Sequence, residues 1–153
     1  MGLFDFWKDS GEEVEVDAGE DVDVELQNQM HGNAIARTVI GLGLEVEDLR
    51  VSYSDGIATV NGKVPSQAEA EKVVLAVGNT KGVEQVDSRL VVEEPAPEAT
   101  MYTVQSGDSL SRIAKEVYGD PMKYSAIVEA NQPMLKDPDK IYPGQVLRIP
   151  VLD

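Results

Sequence analysis

Cysteine is absent from this chain of 153 residues, and histidine occurs once, as His31. The absence of cysteine excludes disulfide bonds, thiolate metal sites and cysteine nucleophiles. A lone histidine gives a catalytic triad or a histidine-rich metal site too few partners, so we interpret His31 as a surface or half-buried helix residue. The sequence also contains neither a nucleophile elbow nor a phosphate-cradling glycine loop. We therefore predict that the protein is not an enzyme.

Basic residues are also scarce, with 13 Lys and Arg against 28 Asp and Glu and a formal net charge of −15. Nucleic acids and anionic lipids bind positive surfaces, so we expect neither a nucleic acid nor a membrane as a partner. No stretch approaches the roughly 18 apolar residues that a membrane-spanning helix needs. The start of the chain, MGLFDFWKDSG, is too short and too acidic for a secretory signal. We expect a soluble, monomeric, cytoplasmic protein.

Proline alternates with other residues in one segment, EEPAPEAT at residues 93–100. Such a pattern makes an extended, semi-rigid spacer. We place a linker at residues 94–100, which separates one domain at residues 21–93 from another at residues 101–153.

The segment before the first domain, residues 1–20, combines an apolar start with acidic residues. We predict a short helix here that ends near Gly11 and docks on the first domain. Its apolar side chains are Leu3, Phe4, Phe6 and Trp7. Residues 12–25 carry eight acidic residues and no basic one. The glycine of DAGEDVDVE is not at the sixth position that a calcium loop requires, so we favour a solvated acidic segment over a divalent-metal site.

The first domain is predicted to run helix, strand, strand, helix, strand. A helical pattern covers residues 21–41. The segment LRVSYSDGIATVNGKV reads as a hairpin, because two alternating runs flank Asp55-Gly56, a pair suited to a primed turn. In PSQAEAEKVVLAVG, Ser66 and Glu69 form a capping box and Gly78 ends the helix. The segment GVEQVDSRLVVEE supplies the last strand.

The second domain is predicted to run strand, helix, helix, strand. The residues YTVQ alternate as in a strand, and Asp108 is positioned to cap a helix that ends at Gly119. Asp120 followed by Pro121 marks the start of the second helix. The residues VLRIP form the closing strand.

Two families share these patterns. The segments YTVQSGDSLSRIAKEVYG, IVEANQ and IYPGQVLRIP resemble a LysM domain, and VSYSDGIATVNGKV with GVEQVDSRLVV resembles a BON domain. In this order, and behind a start of the type MGLFDFWKDSGE, they resemble one family, the cytoplasmic BON–LysM potassium-binding proteins (Kbp). The resemblance implies an α+β fold, with a BON domain (αββαβ) linked to a LysM domain (βααβ).

The residues AVGNTKG, at positions 76–82, allow two interpretations. One is a plain glycine stop and a turn. The other starts from the last carbonyls of a helix, which lack intrahelical partners and carry the negative end of its dipole. Glycines at 78 and 82 permit positive φ, which can turn successive carbonyls to one side. If the start of the chain docks nearby, two sets of neutral carbonyls meet, and such a cage suits a weakly hydrated monovalent cation.

The family resemblance favours the second interpretation and implies a ligand set for K⁺. The implied ligands are the backbone carbonyls of Trp7, Ser10, Glu12, Gly78, Thr80 and Gly82. Rb⁺ and Cs⁺ are expected to substitute in part. The side chains of Asn79, Thr80 and Lys81 are interpreted as bystanders. Binding is expected to bring the BON and LysM domains into contact, as in an ion sensor or buffer that acts under ionic or osmotic stress.

An alternative function rests on the LysM resemblance. LysM domains elsewhere bind polymers of N-acetylglucosamine, such as peptidoglycan, in a groove between two loops. The matching residues here are Gly107, Asp108, Ser109 and Leu110 on one side, with Pro133, Met134 and Ile141 opposite. This resemblance predicts a glycan-binding adaptor. A third interpretation is an interaction scaffold, in which the LysM domain packs on the BON domain or on a partner.

Overall fold

A computed structural model describes residues 2–6 and 24–152 of the chain as an α+β protein, as the sequence predicts. One sheet has four strands in the order β1-β4-β3-β2, and a second has two strands, β5 and β6. The elements in chain order are β1 (Gly2–Asp5), α1 (Val24–Gly41), β2 (Glu47–Ser54), β3 (Ile57–Ser66), α2 (Gln67–Gly78), β4 (Gln85–Glu94), β5 (Thr100–Thr103), α3 (Leu110–Tyr118), α4 (Tyr124–Ala130) and β6 (Val146–Ile149).

The predicted hairpin forms β2 and β3. Asp55 and Gly56 have φ angles of 49° and 81°, as a primed turn requires at both central positions. The turn sets an antiparallel register in which Ser54 lies opposite Ile57. The chain then crosses over through α2, and β4 pairs with β3 in parallel. The start of β4 therefore lies beside the start of β3, next to the loop that follows α2.

Helix α2 covers one face of this sheet. Its Val73 and Val77 side chains are fully buried, together with Val60 and Val86 from the strands. Ser66 caps the start of the helix, because its hydroxyl accepts the backbone N–H of Glu69 at 3.2 Å, as predicted. The carboxylate of Glu69 instead accepts the backbone N–H of Glu45 at 3.0 Å. The second half of the predicted capping box thus ties α2 to the loop after α1.

Helix α1 packs against β2 through a glycine. A Cβ on Gly32 would lie 2.5 Å from the carbonyl oxygen of Val51, which is closer than real Cβ contacts come. Glycine lowers helix propensity, but at this position it lets the backbones of the helix and the strand approach each other.

The start of the chain differs from the prediction. Residues Gly2–Asp5 form a strand that pairs antiparallel with β4, not part of a short helix. The pairing extends to Phe6, whose N–H donates to the Glu84 carbonyl at 2.5 Å. A helix of this length is marginal alone, whereas the edge of β4 offers a row of unpaired backbone groups. The rest of the predicted helix and most of the acidic run, residues 7–23, lie outside the described residues.

The second half of the chain has its own core around Ile113, Ile127 and Leu147. Helix α3 is capped by Ser109, whose hydroxyl accepts the N–H of Arg112, so the prediction of Asp108 as the cap is wrong. The Asp108 carboxylate instead accepts from the Gln105 N–H and the Tyr102 hydroxyl, both at 2.8 Å, and so holds the preceding turn closed. Asp120 caps the 3₁₀ turn Pro121–Lys123 that leads into α4, as predicted.

The two halves meet where β6 lies against α2. The Asn79 side-chain amide donates to the Val146 carbonyl and accepts the Val146 N–H, each at 2.9 Å. Asn131 makes the same pair of bonds to Arg148, two residues further along β6. Two asparagine side chains thus take the place of a neighbouring strand along this edge of β6.

A buried ion pair strengthens this contact. Glu71 of α2 is 4% exposed and accepts from Arg148 Nε at 2.6 Å. Its second carboxylate oxygen accepts the N–H of Ala99, in the proline-rich segment between β4 and β5, at 2.8 Å. One carboxylate therefore binds both β6 and the segment that connects the two halves.

Candidate functional site

The candidate site lies at the carboxyl end of α2. Three of the last helical carbonyls already have donors: Leu75 accepts the Asn79 N–H, Ala76 the Thr80 hydroxyl and Val77 the Thr80 N–H. The remaining carbonyl of the last turn is that of Gly78. It stands where the negative end of the helix dipole is strongest.

Gly78 serves a different purpose from the one predicted. It ends α2 without a positive φ. A Cβ at this position would overlap the ring of Phe6, which is 8% exposed and rests against the glycine. The glycine therefore makes room for the residue that follows β1, and its conformational freedom is not used.

Gly82 does have the predicted backbone conformation, with a φ of 96°. Its carbonyl accepts the hydroxyl of Tyr53 at 2.7 Å. A Cβ built on it would lie 3.3 Å from Cε1 of His31 and 3.5 Å from the Tyr53 hydroxyl. The loop is therefore pressed against two side chains that come from α1 and β2.

The side chains of Asn79 and Thr80, interpreted from the sequence as mostly bystanders of the ion site, have structural roles. Asn79 forms the contact with β6, and Thr80 is 1% exposed, with its hydroxyl bonded to the Ala76 carbonyl at 3.1 Å. The Thr80 carbonyl accepts the Val83 N–H at 3.2 Å, which closes the turn. Lys81 is exposed. Both hydrogen-bonded carbonyls, of Thr80 and Gly82, keep a second lone pair, because a carbonyl oxygen has two.

His31 is half-buried, as the sequence suggests. Its ring lies 3.9 Å from the Tyr53 ring, centroid to centroid, at 32°. Burial lowers the pKa of His31 from its usual value, because desolvation disfavours the charged imidazolium. Within the described part of the chain, its buried Nε2 has no hydrogen-bond partner.

The other half of the implied ligand set, Trp7, Ser10 and Glu12, lies outside the described residues. The chain reaches them from Phe6, which contacts Gly78 and Glu84 at the two ends of the loop.

The predicted glycan groove is formed in part. A groove of about 300 Å³ separates the start of α3 from the loop before β6. Asp108, Ser109, Leu110 and Ile141 line it, together with Ser111, Tyr124, Pro138 and Asp139. Gly107, Pro133 and Met134 are not among its lining residues. Met134 instead packs on the first core and lines a cavity of about 220 Å³ between the two halves.

Two general findings concern the described residues, 2–6 and 24–152. They hold no group of three or more His, Asp or Glu side chains that could bind a metal ion together. None of their helices is long and apolar enough to cross a membrane.

Comparisons with known proteins agree with this architecture. A BON domain model matches residues 33–94, and a LysM domain model matches residues 102–150. The chain is 46% identical to the "Potassium binding protein Kbp" of Escherichia coli O6:H1, over 98% of this chain and 99% of that protein. The chain belongs to the Kbp family. Both matched domains are non-catalytic, and the relative is named as a binding protein.

A second relative comes from Deinococcus radiodurans. It is an "Uncharacterized protein" that is 36% identical over 141 residues. The match covers 84% of this chain but 55% of that protein, so the relative is the longer of the two.

Proposed function

We propose that this protein binds K⁺ through the backbone carbonyls of Gly78, Thr80 and Gly82, with those of Trp7, Ser10 and Glu12 from the start of the chain. The observation that carries the proposal is the 46% identity, along nearly the whole chain, to a protein named for potassium binding. The loop after α2 supports it. The last carbonyl of the helix and two carbonyls of the following turn occur within five residues, and Phe6, after which the other proposed ligands follow in the chain, contacts this loop.

Carbonyl chemistry favours potassium over the smaller ions. K⁺ is weakly hydrated, and neutral carbonyl oxygens can replace its water without the strong field of several carboxylates. Mg²⁺ keeps its water and prefers carboxylates. Rb⁺ and Cs⁺, which hold their water even less tightly, are proposed to substitute in part.

The proposal includes a conformational role. Binding orders the segment after Phe6, stiffens the loop and, through Asn79, strengthens the contact with β6. Such a monomeric, cytoplasmic protein acts as a sensor or buffer of K⁺ under ionic or osmotic stress. The side chain of Asn79 supports this role, because it belongs to the residue between two proposed ligands and bonds to the other domain.

Thermal unfolding at equal concentrations of different salts tests the proposal. A ligand that binds only the folded state adds about 2.7 kcal/mol at a hundredfold excess over its Kd. The Tm is expected to be higher in KCl than in NaCl, LiCl or choline chloride, with RbCl and CsCl in between. Equal Tm values in all of these salts would contradict potassium binding.

A glycine pair tests the assignment to the loop. Gly82→Ala strains the backbone at positive φ and crowds His31. Gly43→Ala introduces the same strain, at a φ of 81°, in open space where an added Cβ meets nothing within 4 Å. Both variants should unfold at lower temperature, because left-handed backbone costs about 1–2 kcal/mol for a residue with a side chain. Only Gly82→Ala should also lose part of the K⁺-specific increase in Tm.

A second candidate function is glycan binding, which the groove lined by Ser109, Leu110 and Ile141 favours. Retention on peptidoglycan or chitin beads, abolished by Ile141→Asp and insensitive to K⁺, would support it. Val151→Asp serves as the control, because it also replaces an aliphatic residue by aspartate but lies outside the groove, at a residue that is 79% exposed. Failure of the unchanged protein to bind either resin would exclude this adaptor role.

A further inference from the structure

The Tyr53 side chain provides the one side-chain hydrogen bond described at the Gly82 carbonyl. Tyr53 lies on β2, 29 residues before Gly82 in the chain, and its hydroxyl is 2.7 Å from that carbonyl oxygen. The hydroxyl must donate, because a carbonyl oxygen only accepts. The ring is held in turn by its contact with His31 of α1.

This arrangement fixes the direction of the carbonyl. Gly82 has no side chain with which to anchor itself, and glycine adopts more backbone conformations than other residues. A Cβ on Gly82 would lie 3.3 Å from Cε1 of His31 and 3.5 Å from the Tyr53 hydroxyl, so both side chains border this glycine closely. The hydrogen bond uses one lone pair of the oxygen and leaves the second for a cation.

The same bond changes the strength of the ligand. The positive hydroxyl hydrogen lies beside the oxygen and offsets part of the electric field that the carbonyl presents to an ion. The number and field strength of the coordinating carbonyls contribute to the discrimination between K⁺ and Na⁺. A weaker field favours the larger ion, because it cannot compensate for the firmly held water of Na⁺.

We propose that Tyr53 is a positioning and selectivity-determining residue of the potassium site, acting through the Gly82 carbonyl. The inference depends on the proposed function. It assigns to a side chain in β2 a role in ion discrimination, although the ligands themselves are main-chain atoms.

Tyr53→Phe tests the role, because it removes the hydroxyl and keeps the ring that packs on His31. Tyr118→Phe is the matched control, because the Tyr118 hydroxyl also donates to a backbone carbonyl, that of Pro150 at 2.5 Å, in the LysM domain. The K⁺ and Na⁺ dissociation constants are obtained by adding each salt in steps. The Tm and the fluorescence of Trp7, the single tryptophan, are recorded at each concentration. Circular dichroism establishes that each variant is folded.

Tyr53→Phe should weaken K⁺ binding about 2- to 10-fold, because the carbonyl loses the bond that fixes its direction; this range corresponds to one hydrogen bond of ordinary strength. It should also lower the ratio of the Na⁺ to the K⁺ dissociation constant. Tyr118→Phe should lower the Tm but leave both constants unchanged.

Three outcomes would overturn the inference. Unchanged K⁺ and Na⁺ constants in Tyr53→Phe remove both roles, and equal weakening in Tyr118→Phe shows a general loss of stability. Equal weakening of K⁺ and Na⁺ in Tyr53→Phe overturns the role in selectivity. If instead the unchanged protein does not respond to K⁺, the proposed function itself fails, so the two failures are distinguishable.

Discussion

Gly78 shows how much one residue can depend on a distant neighbour. The sequence marks it as a helix stop, and the helix does end there. What requires glycine, however, is the Phe6 ring, which packs where a Cβ would be. The residue couples the end of α2 to the docking of β1, and through β1 to the segment that holds half of the proposed ligands.

A substitution at Gly78 measures this coupling. Gly78→Ala should lower the free energy of unfolding by about 1–3 kcal/mol, the usual cost of overpacking, despite the better helix propensity of alanine. Gly41→Ala is the control, because Gly41 ends α1 in the same way and a Cβ there meets nothing within 4 Å. Urea unfolding of both variants gives the comparison.

The cause can be isolated by combining two changes. In a Phe6→Ala background the clash is absent, so Gly78→Ala should cost nothing or stabilise the protein. If Gly78→Ala still lowers the free energy of unfolding in the Phe6→Ala background, then the backbone, and not the Phe6 ring, requires glycine at position 78.

Strand β1 is the element that changes the interpretation of the N-terminal segment. As a strand on β4 it belongs to the fold of the first domain, and Phe6 belongs to its core. Deletion of residues 2–12 would therefore remove structure as well as ligands. A deletion that begins after Phe6 separates these two effects.

We predict that deletion of residues 7–12 abolishes the K⁺-specific increase in Tm and leaves the Tm in choline chloride nearly unchanged. The deletion removes three proposed ligands but keeps β1 and Phe6. Deletion of residues 13–18 shortens the same segment by the same length and keeps those ligands, so it should retain the response to K⁺. A full response in the first variant would rule out the N-terminal ligands, whatever the role of Gly82.

The whole molecule is joined along the edge of β6. Asn79 from the first domain and Asn131 from the second each bind one residue of β6 through both backbone groups. The ion pair of Glu71 and Arg148 also joins α2 to β6. The contact thus combines a strand-like pattern of hydrogen bonds with a buried charge pair, which suits a contact that K⁺ is proposed to strengthen.

Asn79→Ala should loosen this contact, because it leaves the Val146 N–H and carbonyl without their partner, at a cost of about 1–3 kcal/mol. We expect faster proteolysis at residues 94–100 and a larger radius of gyration in X-ray scattering, with a smaller compaction on addition of K⁺. Asn131→Ala should instead destabilise the second domain and leave the Asn79 contact in place. If Asn79→Ala shows the same scattering and the same rate of proteolysis as the unchanged protein, Asn79 does not hold the two domains together.

The sequence by itself determined the features that depend on local chemistry. The Asp55-Gly56 turn, the Ser66 cap, the Asp120-Pro121 start and the order of helices and strands after residue 23 each follow from residues close together in the chain. The alternating runs likewise identified the two strands of the hairpin. The positive φ of Gly82 was also predictable, because few residues other than glycine adopt it.

Only the tertiary structure decided the rest, because the deciding partners are far away in the chain. The start of the chain became a strand because β4 offered it an edge. Asn79 became a link because Val146, 67 residues later, presents its backbone there. In the sequence, Tyr53 resembles any core-facing strand residue. Its hydroxyl has a hydrogen-bond partner only because the fold brings Gly82 next to it. Side-chain type and spacing predict hydrogen bonds within a turn, but a bond between distant segments depends on where the fold places both of them.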